Sequence, residues 1–160
     1  MTDPLLESYE IRPYRHGAVP YTHPARIAAI ARLLGHRRMP VETARVLELG
    51  CGEGMNLLPL AERFPEGRFV GVDFSPRQIA TAESARSAAG LDNATLICHD
   101  LREYEPEAEQ FDYVIAHGVY SWVPDEVKER LLQVCRAALV PGGIAYISYN
   151  VHPASGFVRS

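Results

Sequence analysis

Val46-Leu47-Glu48-Leu49-Gly50-Cys51-Gly52-Glu53-Gly54 decides how this chain folds. A short run rich in apolar residues, 46–49, stops at three glycines in alternate positions, and a helical pattern follows over residues 56–64. Read physically, a buried strand ends abruptly and the backbone turns tightly. Residues without a β-carbon let a ligand press against the main chain there. Nineteen residues after Gly54, a second apolar run, Phe69-Val-Gly-Val-Asp73, ends in a carboxylate. A glycine turn after one strand and an acid at the tip of the next make a nucleoside-binding arrangement. The turn holds one end and the acid grips ribose hydroxyls.

Outward from this stretch, strands and helices alternate. The pattern predicts strands over residues 45–49, 68–73, 95–98, 111–116 and 144–148. The helix after the second strand has a strong start: Ser75 as N-cap, Pro76 in the first position and Gln78 completing a capping box. It continues to Gly90, and a further helix is predicted over residues 125–139, with Val127, Leu131, Val134 and Ala138 on one face. Val140-Pro-Gly-Gly143 is read as the turn into the fifth strand. Upstream, Pro24 opens a helix that Gly35 ends, and His23 before it is a cap or surface residue. Residues 14–23, rich in aromatics and prolines, are read as a lid over the glycine turn or as a loose arm.

This alternation predicts an α/β fold, a doubly wound, Rossmann-like parallel sheet in the order 3-2-1-4-5. Its crevice lies at the carboxyl ends of the first and fourth strands. Gly50, Gly52, Gly54, Asp73, Asp100 and His117 all fall at such strand ends. One domain is expected over residues 1–160, with an arm and helix to residue 40, the core over 41–150 and a tail over 151–160.

Composition sets the outer bounds. The chain is 47% hydrophobic and 22% charged, which argues against disorder. A net charge of −4 without a lysine or arginine block argues against non-specific nucleic-acid binding. No apolar run reaches a membrane-spanning length, so no membrane association is expected. Three widely spaced cysteines, Cys51, Cys98 and Cys135, suit a reducing cytoplasm rather than a disulfide framework. Cys51 has no basic neighbour in the turn to activate it and is read as a small tolerated residue. The six histidines show no metal-ligand spacing, so no metal is expected.

The spacing of the glycines narrows the ligand. A dinucleotide fingerprint needs glycine at position 55, where Met55 stands; an NAD-dependent oxidoreductase is the alternative this disfavours. With Glu48 in front, the stretch reads E-x-G-x-G-x-G and resembles the first motif of class I S-adenosylmethionine-dependent methyltransferases. The acid after the third strand, the Phe111-Asp-Tyr-Val-Ile-Ala116 strand and Pro141-Gly-Gly143 resemble that family's later motifs. His117-Gly-Val-Tyr-Ser-Trp-Val-Pro124 and Tyr149-Asn150 resemble bacterial members that carry a methyltransferase regulatory domain.

The resemblance implies S-adenosylmethionine as cofactor, held by Glu48, Gly50, Cys51, Gly52, Gly54, Asp73, Phe74, Asp100, Leu101 and His117. Within it, Asp73 takes the ribose, Phe74 packs on adenine, and Asp100 accepts from the adenine amino group, with Leu101 beside it. The alternative reading of Asp100 is a cap of local turns. His117 is the catalytic candidate, as a general base or a pocket wall. Tyr120, Trp122 and Asn150 are candidate walls of the acceptor pocket. The absence of a D/N/S-P-P-aromatic run after the fourth strand and of a Pro-Cys nucleophile favours a small-molecule or protein acceptor over nucleic acid. Class I domains continue through another helix and two strands. The resemblance therefore implies the front portion of such a domain, its fifth strand an open edge covered by a homodimer or another partner. A catalytically silent S-adenosylmethionine-binding module is the second expectation.

Overall fold

The computed structural model describes residues 17–36 and 39–151. The expected positions 1–16 of the arm and 152–160 of the tail lie outside the described residues. Five strands, β1 Arg45–Leu49, β2 Arg68–Asp73, β3 Ala94–Cys98, β4 Phe111–Ala116 and β5 Leu139–Ile147, form one sheet. All its pairings are parallel, in the order β3-β2-β1-β4-β5. Four α-helices lie among the described residues: α1 Pro24–Leu33 before β1, α2 Leu57–Arg63 between β1 and β2, α3 Pro76–Ala88 between β2 and β3, and α4 Asp125–Ala138 between β4 and β5. The doubly wound order is the expected one.

Alternation along each central strand sorts side chains to two faces. Leu47, Leu49, Val70, Val72, Val114 and Ala116 form one apolar cluster with Val127, Leu131, Val134 and Cys135 of α4. Their neighbours Val46, Phe69, Tyr113 and Ile115 join Ile27 of α1 and Leu57, Leu60 and Ala61 of α2 on the other side. With both faces covered, β4 is buried at every residue and β1 at all but Arg45. At the start of these strands, Arg45 grips the buried Asp112. Nε donates to Oδ2 at 3.0 Å, Nη2 to Oδ1 at 2.8 Å, and the Arg45 main-chain N–H to Oδ2 at 2.9 Å. That carboxylate fixes β1 against β4 at the end away from the crevice.

Two local details depart from expectation. The strand β5 begins at Leu139, directly after α4, instead of at residue 144. Phe111 pairs with Leu139 and Tyr113 with Ile144, so Val140 to Gly143 are absorbed as an irregularity within the strand. Pro141 has no N–H for a ladder and Gly142 takes φ +81°, which suits a bulge and not a separate turn. The second departure is in α3. The Ser75 hydroxyl accepts from the Gln78 N–H at 3.3 Å, as a capping box requires. The reciprocal bond goes elsewhere: the Ser75 N–H donates to Asp73 Oδ1 at 3.0 Å.

Among the described residues, no helix is long and apolar enough to cross a membrane.

Candidate functional site

The glycine turn connects β1 to α2 at the sheet's carboxyl edge. Gly50, Gly52 and Gly54 have φ of +74°, +54° and +73°, a region closed to most side chains. The Gly50 and Cys51 N–H groups both donate to the Val72 carbonyl, at 2.8 and 3.1 Å, binding the turn to β2. The Gly52 N–H donates to Asp73 Oδ2 at 2.8 Å. Asp73 is therefore aimed at the turn, Oδ2 accepting from Gly52 and Oδ1 from the Ser75 N–H. Burial pushes its pKa up, against the lowering effect of N–H bonds from Ser75, Gly52 and Phe74.

Glu48, on β1, is the unusual group. It is 4% exposed, its Oε1 accepts from Asn56 Nδ2 at 2.9 Å, and its Oε2 is buried with no hydrogen-bond partner. Burial raises its pKa to about 7; the Asn56 bond opposes this and the charge of Asp73 adds to it. An acid with one oxygen unsatisfied at the wall of a cleft is suited to a cationic or donor group of a ligand. Cys51 lies between the two acids, and burial followed by the charges of Glu48 and Asp73 raises its pKa well above the ordinary thiol value. That environment disfavours a thiolate and agrees with a packing role.

Asn56 also reaches the amino-terminal segment. Its Oδ1 accepts from the Val19 N–H at 2.9 Å and lies 3.0 Å from the hydroxyl of the fully buried Thr22. Val19 thereby forms part of the cavity wall with Glu48, Asp73, Gln78, His117 and Val119. Of residues 17–23 in the range read as a lid, Val19 lines the cavity, whereas Tyr21 is exposed and lines a groove beside α1 and β5; residues 14–16 lie outside the described residues. The cavity volume is about 40 Å³, so a nucleoside extends beyond it.

The cavity brings together Glu48, Gly50, Cys51, Gly52, Asp73 and His117 of the expected residues. Gly54 belongs to the turn, but a β-carbon there would face Leu58 and Ala82. Phe74, Asp100 and Leu101 do not line the cavity. Leu101 is buried in the core cluster on the α4 side. Asp100 is occupied locally: Oδ1 accepts from the Arg102 N–H at 2.8 Å and Oδ2 from its guanidinium Nε at 2.9 Å. That bonding holds the Asp100 carboxyl below the usual range. His117 follows β4 and stacks obliquely on Tyr146, with ring centroids 6.2 Å apart. Its loop is tied to β5 by the Gly118 N–H to Ser148 Oγ bond at 2.8 Å, and the Asn150 N–H donates to Ser121 Oγ at 2.7 Å. Trp122 is half exposed and lies outside the cavity wall. His23 is a cap, its Nδ1 accepting from the Ala25 N–H at 3.2 Å. Asn56, Gln78 and Val119 are wall residues that the sequence reading did not assign to the pocket, while Val19 falls in the range read as a lid. Among the described residues, no cluster of three or more His, Cys, Asp or Glu could hold a metal ion.

Comparison with known proteins sets this geometry in a family. Residues 46–143 match the family described as a methyltransferase domain. A protein of Rickettsia prowazekii, RP028, is 40% identical over 146 residues, covering 91% of this chain and 58% of its own length. Trans-aconitate 2-methyltransferase of Variovorax paradoxus is 37% identical over 111 residues, covering 69% of this chain and 40% of its own. The structure of PKMT2 from Rickettsia typhi in complex with AdoHcy superposes with a TM-score of 0.83 at 39% identity. That match covers 90% of this chain and 28% of PKMT2. The chain thus spans less than two thirds of these relatives' length. A glycine turn facing a strand-end carboxylate, on a sheet in the order β3-β2-β1-β4-β5, agrees with that match over the core, and the chain belongs to the methyltransferase domain family.

Proposed function

We propose that this chain binds S-adenosylmethionine at the β1–β4 crevice and serves methyl transfer to a small-molecule or protein acceptor. One observation carries the reading: the Asp73 carboxylate and the unpaired Glu48 Oε2 line the same cavity, beside a turn whose glycines keep the main chain bare. The residues fit the cofactor's chemistry. Asp73 accepts from the ribose hydroxyls, and Glu48 receives the methionine ammonium, directly or through water.

When bound, the cofactor supplies an electrophilic sulfonium methyl with a thioether leaving group. The protein's share is alignment, exclusion of water and, where the acceptor carries a proton, its removal. Val19, seated through Asn56, excludes water at the mouth. His117 borders the cavity at the end of β4 and is the group placed to take a proton from the acceptor. Tyr120 and Trp122, on the loop after His117, and Asn150 offer the acceptor its outer wall.

Calorimetry on the chain separates the readings. S-adenosylhomocysteine is expected to bind and NAD not to. Asp73→Asn, which keeps the shape and loses the charge, is expected to weaken binding at least ~10-fold, because hydrogen bonds to a charged group are worth roughly 1.5–3 kcal/mol. Unchanged affinity in the variant, or tighter NAD binding by the parent, refutes the assignment. A methyl-transfer assay then tells an active domain from a silent binding module.

A further inference from the structure

We infer that Gln78 determines the specificity of this site for an intact ribose, its side-chain amide donating to a ribose hydroxyl that itself donates to Asp73. The inference rests on the nucleoside reading of the cavity and extends it to a residue that reading does not use. Gln78 is 4% exposed, lines the cavity, and its Nε2 is buried with no hydrogen-bond partner. A buried donor left unpaired is destabilising, so its place at the cavity wall calls for a partner that arrives with the ligand.

Local structure explains why the amide is available. In a complete capping box the Gln78 side chain would return to the Ser75 N–H. Here Asp73 Oδ1 takes that N–H, so the side chain is released from the cap and lies over the turn. Its Oε1 sits 2.7 Å from where a β-carbon on Gly52 would be, a position that only glycine leaves open. The same Gly52 donates its N–H to Asp73 Oδ2. Gln78 Oε1 and Asp73 Oδ2 thus both approach Gly52, and the unpaired Nε2 belongs to the same amide as that Oε1.

A hydroxyl carries one hydrogen and two lone pairs. Between these groups it gives its hydrogen to Asp73 and accepts from Gln78 Nε2, satisfying both. A deoxy sugar leaves the amide unpaired. Gln78 is placed for this by a rigid element: its own N–H is held by Ser75 Oγ at 3.3 Å in the first turn of α3.

The test is calorimetry with S-adenosylhomocysteine and its 2′-deoxy and 3′-deoxy forms, on the parent chain, Gln78→Leu and Gln78→Glu. Gln78→Leu is expected to bind S-adenosylhomocysteine about 10-fold more weakly, the loss of one buried hydrogen bond. Its penalty against one of the two deoxy forms is expected to shrink by a similar factor, while the other deoxy form keeps its penalty. Gln78→Glu, an acceptor beside Asp73, is expected to bind more weakly still. Melting curves establish that each variant is folded, and Gln78→Met replaces any that is not. Equal losses for all three ligands would mean that Gln78 only packs, and unchanged affinity would mean that it does nothing; either overturns the inference while leaving the nucleoside reading intact. Failure of the parent chain to bind S-adenosylhomocysteine overturns both.

Discussion

Replacing Glu48 by glutamine tests the electrostatics of this site most directly. The side chain is buried, and its pKa is raised from 4.5 to about 7, chiefly by desolvation. A raised carboxyl pKa means that the folded chain holds its proton more tightly than the unfolded one. Stability attributable to this group is therefore lost as pH rises from 4.5 towards 7, and above 7 the whole penalty of ionising it in place is felt. At 1.36 kcal/mol per pH unit, that penalty is roughly 3 kcal/mol. Glutamine keeps the oxygen that accepts from Asn56 and carries no charge, so its contribution does not vary with pH. It also places an amide where Oε2 was, at a cost that is constant with pH and shifts the whole curve. The slope is what matters. Urea unfolding of both proteins from about pH 5 to about pH 8 is expected to show the glutamine variant gaining up to ~3 kcal/mol on the parent across that range. Asp73, raised in the same direction, stays in both proteins. Parallel stability curves would refute the buried, perturbed state of Glu48. Ligand affinity gives a second reading. A cationic ammonium favours the ionised acid, so S-adenosylhomocysteine is expected to bind the parent more tightly as pH rises through about 7, and the variant with little change.

Two further expectations follow from the same geometry. Asn56→Ala removes the acceptor of the Val19 N–H and the donor to Glu48. Hydrogen exchange at the Val19 amide is expected to accelerate at least ~10-fold while the protons of β1 and β4 change less, and equal effects at both places would count against a local latch. The open side of β5 borders a groove of about 450 Å³ lined by Ile27, Ile30, Leu34, Ile144 and Tyr146, with Leu34 three-quarters exposed. We propose that a second copy of this chain covers it. Light scattering after size exclusion is expected to show self-association that Leu34→Lys abolishes; a monomer at every concentration would dismiss the second copy.

The legibility of this protein follows the range of the interactions involved. The glycine turn, the strand-end acid at Asp73, the Ser75 cap and the two-faced strands are properties of neighbouring residues, and the chain order alone carries them. From alternation of strands and helices came the sheet order, because crossovers have one hand. What lay beyond reach depended on groups distant in sequence competing for one partner. Asn56 reads as a helix start, yet its side chain is drawn away to Val19, Thr22 and Glu48, which meet only once β1 and the amino-terminal segment are packed. Gln78 reads as a cap, and only the approach of Asp73 to the Ser75 N–H turns it towards the cavity. For Asp100, Arg102 two residues on was visible, but nothing in the order of residues says whether a carboxylate will face its neighbour or a cavity. The order of residues carries the fold and the kind of pocket. Which polar atoms inside it remain unpaired, and hence what the pocket can hold, was decided by tertiary structure, because a hydrogen bond formed with one partner is withheld from every other.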